Sequence, residues 1–225
     1  MLEKMEDFFA RRLDSYDQQM MNIEGADQFY QLTASQLPME KDSEVLDLGC
    51  GTGLELQAYL TLNHTARVTG IDLSSAMLKR LANKIPQTRL NLICGSYFDL
   101  PLGIERYDAA VSVESLHHFT ANKKQGLYFK LFDGLRVGGY FVLTDYFADT
   151  DSQEQGFLQN YLQLRRQQSI ADHIYCHYDI PLTVEHEIQL LESAGFVEVT
   201  VVKRWGSTCL LRTGTKRHGR RSTPV

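Results

Sequence analysis

The apolar residues of this 225-residue chain recur with two alternating spacings, which predicts an alternation of strands and helices. Short apolar runs typical of buried strands are followed by stretches in which apolar residues recur every three or four positions, as on one face of a helix. The predicted strands are 45–48, 67–71, 90–94, 107–113, 140–145, 196–202 and 208–212. The predicted helices between them are 54–60, 74–84, 122–135 and 183–194. This repetition predicts a parallel sheet with helices on both faces.

Three stretches do not follow this alternation. Apolar residues at helical spacing, among them Phe8, Phe9, Leu13 and Tyr16, precede Pro38, so residues 1–40 are predicted to form a helical lid. Residues 149–180 are predicted to form a helical cap insert within the main domain, which spans 41–214. The basic stretch 215–225 follows the last apolar segment and is predicted to be a disordered tail.

Composition and charge exclude several classes of protein. An apolar fraction of 43% with 23% charged residues is that of an ordinary globular domain. Lys and Arg number 23 against 28 Asp and Glu, and the net charge of −5 argues against binding along a nucleic-acid backbone. The four cysteines include no Cys-x-x-Cys pair, which favours reduced thiols and a cytoplasmic location. No apolar run approaches the length of about 18 residues that a membrane span needs.

A glycine-rich segment, Gly49-Cys50-Gly51-Thr52-Gly53, joins the first predicted strand to the first predicted helix. Glycines at this point let a ligand approach backbone N–H groups that a Cβ would cover, which is typical of a nucleotide-binding turn. Asp72 ends the next strand, about 20 residues further on, where a carboxylate can accept hydrogen bonds from ribose hydroxyls. The alternative is that the glycines make only a tight turn and that Asp72 caps the helix beginning at Ser74.

Five segments in order extend the pattern beyond the glycine turn: LDLGCGTG, VTGIDLSSAML, CGSYFDLP, YDAAVSVESLHHF and LRVGGYFVLTD. They resemble the class I S-adenosylmethionine-dependent methyltransferases, and the resemblance runs from about residue 44 to residue 212. It implies a doubly wound, Rossmann-like α/β sheet of seven strands in the order 3-2-1-4-5-7-6, with the seventh strand antiparallel. It also implies S-adenosylmethionine as the cofactor and a methyl group as the group transferred.

The resemblance implies a set of cofactor-binding residues. Gly49 and Gly51 would face the methionine part, Asp72 would hold both ribose hydroxyls, and Asp47 would order the backbone of the glycine loop from behind. Ser96 stands where many relatives have Asp at the adenine edge, and a shorter, uncharged acceptor implies a weaker contact. The full expected set is Tyr16, Gly49, Gly51, Asp72, Leu73, Met77, Ser96, Tyr97 and Val113.

Candidate catalytic residues follow the fourth and fifth strands, because ligands of open α/β sheets collect at the carboxyl ends of the strands. His117, Asp145 and Tyr146 are the predicted catalytic residues, with Glu114 and His118 beside them. Packing or capping is the alternative role for each. Methyl transfer needs near-attack geometry and exclusion of water, and it needs a base only when the acceptor arrives protonated.

A metal site is not predicted. The insert holds His173, Cys176 and His177, with His186 beyond it, but no second cysteine or acid completes a known zinc spacing. These residues are expected to line the wall of a pocket or to pack the insert.

The function predicted from these features is methyl transfer from S-adenosylmethionine to a small-molecule acceptor, because the cap insert is short. Three alternatives stay open. A nicotinamide-dependent oxidoreductase would have its third fingerprint glycine at position 54, where this chain has Leu54. A non-catalytic S-adenosylmethionine-binding module, or an enzyme that modifies another group of the cofactor, would carry the same glycine loop. The acceptor atom and the oligomeric state are not predicted.

Overall fold

The computed structural model describes residues 1–85 and 89–216. Within those ranges the chain forms a large and a small β-sheet together with α-helices. The elements in chain order are β1 (Glu3–Lys4), α1 (Met5–Met21), α2 (Ala26–Ser35), β2 (Glu44–Leu48), α3 (Leu54–Leu62), β3 (Arg67–Asp72), α4 (Ser75–Lys84), β4 (Leu90–Cys94), β5 (Tyr107–Val113), α5 (Ala121–Gly134), β6 (Leu135–Tyr146), α6 (Asp151–Gln167), β7 (Cys176–His177), α7 (Val184–Ser193), β8 (Thr200–Trp205) and β9 (Thr208–Arg212).

The large sheet has seven strands in the order β4-β3-β2-β5-β6-β9-β8. Strands β2 to β6 are parallel to one another, and β9 runs antiparallel to both of its neighbours. Counted within this sheet alone, the order reads 3-2-1-4-5-7-6 with the seventh strand antiparallel. The predicted α/β fold class is confirmed.

The core lies on both faces of the sheet, because successive side chains of a strand point to opposite faces. Leu46 and Leu48 of β2 pack in one apolar cluster together with Leu127 of α5. Val45, just before them on the same strand, points to the opposite face and packs in the other cluster with Leu56 of α3. The helices therefore cover both faces, and the carboxyl ends of the parallel strands are left to form a site.

Two strands, β6 and β8, differ from their predicted bounds by more than one residue. Strand β6 begins at Leu135, directly after α5, because Leu135 pairs with Tyr107 before the register shifts and Tyr140 pairs with Ala109. Strand β8 begins at Thr200, because Phe196 leaves the sheet to pack in the core beside Phe132. Local apolar patterning cannot distinguish these two uses of an aromatic residue.

The N-terminal segment is attached to the insert and to the glycine loop. Strand β1 pairs antiparallel with β7, and the backbone N–H of Met5 donates to the carbonyl of Tyr175 at 3.0 Å. Asp17 of α1 accepts hydrogen bonds from Thr52 in the glycine loop and from Lys84 of α4. These contacts hold α1 across the carboxyl ends of the strands.

The described part of the chain ends on the sheet. The backbone N–H of Lys216 donates to the carbonyl of Gly139, and its ammonium donates to the carbonyls of Phe132 and Leu135. The predicted tail from residue 217 to residue 225 lies outside the described residues. No helix among the described residues is long and apolar enough to cross a membrane.

Candidate active site

The glycine loop between β2 and α3 adopts a backbone that side chains would not allow. Gly49 has φ of 80°, and a Cβ there would lie 2.1 Å from the hydroxyl oxygen of Ser115. Gly53 has φ of 76°, and a Cβ there would lie 2.3 Å from Leu81. Both positions therefore require glycine, for conformation and for space. The resulting turn leads into the N-terminus of α3, where free backbone N–H groups favour a polar ligand.

Asp72, at the end of β3, both orders this loop and faces a cavity. One carboxylate oxygen accepts the backbone N–H of Gly51 at 2.9 Å, and the other accepts that of Ser74 at 2.7 Å. Each oxygen has a second lone pair, so the carboxylate keeps capacity for two further donors. Burial raises the pKa of Asp72 to about 6, although the two backbone hydrogen bonds lower it. Loop ordering and ligand binding are thus compatible roles.

A first cavity of about 470 Å³ opens beside the glycine loop, and we call it the loop cavity. Seven of the nine residues that the resemblance implies for cofactor binding line this cavity. The cavity is lined by Met5, Phe9, Tyr16, Gly49, Gly51, Asp72, Leu73, Met77, Tyr97, Glu114, Ser115, His118 and Phe119.

Ser96 and Val113 do not belong to the lining of the loop cavity. The hydroxyl of Ser96 accepts the backbone N–H of Phe98 at 3.2 Å and donates to the hydroxyl of Tyr175 at 3.3 Å. This hydroxyl is therefore engaged within the protein. Met5 and Phe119 provide apolar lining that sequence reasoning missed, because neither lies in a segment that resembles the family's adenine contacts.

Asp47 does not order the glycine loop by hydrogen bonds. Its carboxylate is fully buried, and neither oxygen has a hydrogen-bond partner among the described residues. Burial raises the pKa of Asp47 well above its ordinary value, and the nearby charge of Glu55 raises it further. The loop is instead ordered by Asp72, which accepts the backbone N–H of Gly51.

A second cavity of about 950 Å³ adjoins the first, and we call it the histidine cavity. One wall is a face of α1, and the opposite wall is formed by residues at or just after the carboxyl ends of β5 and β6. The two cavities share four lining residues, Phe9, Tyr16, Glu114 and His118. The histidine cavity is lined by Phe8, Phe9, Arg12, Tyr16, Gln19, Met20, Ile23, Glu114, His117, His118, Tyr146, His177, Asp179 and Thr208.

The three predicted catalytic residues lie together at this second cavity. Nδ1 of His117 is 2.6 Å from Oδ1 of Asp145, and both side chains are buried. The same oxygen accepts the backbone N–H of Tyr146, whose ring lies edge-on to the imidazole. Burial lowers the pKa of His117, but the charge and the hydrogen bond of Asp145 raise it more, to about 9. His117 is therefore held as an imidazolium at neutral pH.

Asp179, in the insert, is a polar residue of this cavity that sequence reasoning missed. Oδ1 of Asp179 is 3.1 Å from Nδ1 of His118 and 3.6 Å from Nε2 of His117. Burial raises the pKa of Asp179, but the contact with His118 and the charge of His117 lower it more, to below its ordinary value. Burial lowers the pKa of His118, and burial lowers that of His177 to about 4. The sequence signal was the polar run His177-Tyr178-Asp179, but nothing local indicates that it meets His117.

The histidine and cysteine set considered from the insert is not assembled. His177 lines the histidine cavity, whereas His186 is paired with Glu154 at 2.8 Å. His173 faces a separate groove beside Lys4. Two other sets offer atoms within 4.8 Å of one another, a spacing that a metal ion could bridge. They are His117, His118 and Asp179, and Glu114, His117 and Asp145.

Comparison with known proteins agrees with this geometry. Residues 45–139 match the family model described as a methyltransferase domain. An O-methyltransferase, cnsE, of Penicillium expansum is 28% identical over 166 residues, covering 71% of this chain and 54% of that protein. The carboxy-S-adenosyl-L-methionine synthase of Nautilia profundicola is 24% identical over 179 residues, covering 75% of this chain and 76% of that protein. The chain thus spans about half the length of the fungal relative and three quarters of the bacterial one.

Among solved structures, human N-acetylserotonin methyltransferase in complex with S-adenosylmethionine superposes with a TM-score of 0.65 at 15% identity. The match covers 94% of this chain and 56% of the human chain. This likeness shows the fold, and the family-model match identifies a methyltransferase domain at residues 45–139. The predicted class of enzyme, and S-adenosylmethionine as its cofactor, are confirmed.

Proposed function

We propose that the protein transfers the methyl group of S-adenosylmethionine to an oxygen atom of a small molecule bound in the histidine cavity. The observation that carries the proposal is the pair formed by His117 and Asp145 at 2.6 Å. The other ring nitrogen of His117, Nε2, is 3.6 Å from Asp179, and His117 lines a cavity that shares four lining residues with the loop cavity. A donor and an acceptor in adjoining cavities have the arrangement that an in-line transfer needs.

The loop cavity would hold the cofactor. Asp72 would accept the ribose hydroxyls, and Gly49 and Gly51 would let the methionine part approach the backbone. Leu73 and Met77 would pack on the adenine. When bound, S-adenosylmethionine supplies a methyl carbon whose bond to sulfur breaks, with the electron pair left on sulfur, as the bond to the acceptor oxygen forms.

His117 would receive the proton of an acceptor hydroxyl on Nε2, while Asp145 keeps the opposite nitrogen hydrogen-bonded and stabilises the imidazolium. Tyr146 would close the cavity wall beside them. Because the pKa of His117 is raised to about 9, the free base becomes more abundant as pH rises. A positive charge in the loop cavity would lower this pKa toward neutrality, because like charges oppose protonation.

The experiment is a screen of hydroxylated small molecules for the release of S-adenosylhomocysteine, after calorimetric titration with S-adenosylmethionine, S-adenosylhomocysteine and NAD. We expect saturable binding of the two sulfur compounds and no heat with NAD. With an active acceptor, His117→Ala should lower kcat by about 100-fold or more while cofactor affinity stays within about twofold. Unchanged kcat in this variant would contradict the role of His117. No metal ion takes part in the proposal, so EDTA should leave the rate unchanged.

A second candidate is favoured by the coverage of the Nautilia relative, a synthase that by its name makes a carboxylated form of the cofactor. In this case the protein would modify S-adenosylmethionine itself. Mass spectrometry of the cofactor released from the purified protein separates the two candidates, because a modified cofactor has a different mass.

A further inference from the structure

The boundary between the two cavities contains a single acid. Four residues line both cavities: Phe9, Tyr16, Glu114 and His118. Phe9 is apolar, and burial together with the nearby carboxylates raises the pKa of Tyr16, so its phenol stays neutral. Burial and the neighbouring His117 lower the pKa of His118, which favours the neutral imidazole. Glu114 is therefore the one shared residue that can carry a negative charge at this boundary.

The backbone fixes Glu114 at the boundary. It follows the last residue of β5 with φ of 48°, a left-handed conformation that non-glycine residues adopt at a cost. Its N–H donates to the carbonyl of Thr144 at 2.8 Å, and its Oε1 accepts the hydroxyl of Thr208 at 3.1 Å. Oε2 has no hydrogen-bond partner among the described residues. Burial raises the pKa of Glu114 to about 7, so a cationic neighbour would favour its ionised form.

A methyl group that is transferred between these cavities has to cross this boundary. Before the transfer the methyl group is bound to a positively charged sulfur. The substrate form of the cofactor therefore places a positive charge near the shared residues, and the product form does not. We propose that Glu114 strengthens the binding of cationic S-adenosylmethionine relative to that of S-adenosylhomocysteine, whose sulfur is neutral. The inference rests on the proposed function and concerns affinity, which does not require a known acceptor.

The experiment compares the dissociation constants of both compounds, measured by calorimetry for the wild-type protein and for Glu114→Gln. We expect Glu114→Gln to weaken the binding of S-adenosylmethionine by about tenfold or more, because the negative charge of the carboxylate is lost. The binding of S-adenosylhomocysteine should weaken by less than about twofold. Glu105→Gln is the matched control, because Glu105 stands before the other end of β5 with a similar φ of 46°. It should change neither affinity.

An equal loss for both compounds, or no loss for either, would overturn the inference, because the ammonium and ribose are common to both. If Glu114→Gln does not fold, Thr208→Val keeps the carboxylate but releases Oε1, and it should reduce the preference for S-adenosylmethionine by about threefold. An unchanged preference in this variant would count against Glu114. If neither compound binds the wild-type protein, the proposed function itself fails, which is a distinct result.

Discussion

Asp145→Asn should remove a pH dependence of folding stability that the pair with His117 creates. The rise of the pKa of His117 from 6.5 to about 9 corresponds to about 3 kcal/mol in favour of the folded protein. Because this pKa is raised by folding, the contribution is complete below pH 6.5 and is lost as pH rises through 9. About 2 kcal/mol of it should disappear between pH 7 and pH 9 in the wild-type protein.

The assay is urea unfolding followed by circular dichroism at pH 7, 8 and 9 and constant ionic strength. Glu114, whose pKa is raised to about 7, and the buried thiols of Cys50, Cys176 and Cys209 also change protonation in or near this window, in the wild-type protein and in the variant alike. In Asp145→Asn, burial without the carboxylate keeps the imidazole neutral, so the free energy of unfolding should fall by about 2 kcal/mol less between pH 7 and pH 9 than in the wild-type protein. Asp149→Asn, at an exposed position just beyond β6, should keep the wild-type slope. Equal slopes for Asp145→Asn and the wild type would refute the reasoning.

Two further changes test the loop cavity. Asp72→Asn should raise the dissociation constants of S-adenosylmethionine and S-adenosylhomocysteine alike, by about 10- to 100-fold as measured by calorimetry. Without cofactor, Asp72→Asn should lose little stability at pH 7, because the raised pKa of Asp72, about 6, means that its ionised carboxylate is unfavourable in the folded protein. Unchanged cofactor binding in this variant would contradict the role of Asp72. Gly49→Ala should lower the free energy of unfolding by about 1–3 kcal/mol through its φ and the clash with Ser115. Gly126→Ala, where a Cβ meets nothing within 4 Å, should be neutral or stabilising, and similar effects of the two would count against this explanation.

Much of the site could be expected before the fold was known, because the carboxyl ends of parallel strands meet at one edge of a sheet. Asp72, His117 and Asp145 end or follow three different strands, so strand prediction alone places them on that edge. The distance of 2.6 Å between His117 and Asp145 could not be expected, since it depends on the register of β5 against β6. The hydrogen bonds of Ser96 could not be expected either. Its hydroxyl accepts the backbone N–H of Phe98 and donates to the hydroxyl of Tyr175 in the insert.

The sequence by itself determined the alternation of strands and helices, the glycine loop and the acid after β3, because each depends on spacing within one or two elements. Only the tertiary structure decided that α1 forms a wall of both cavities and that Asp179 reaches His117 and His118. The contacts of Asp179 join parts of the chain that are about 60 residues apart and depend on how the insert packs, which no local periodicity encodes. The role proposed for Glu114 likewise comes from its position between two cavities, a property of the packed molecule.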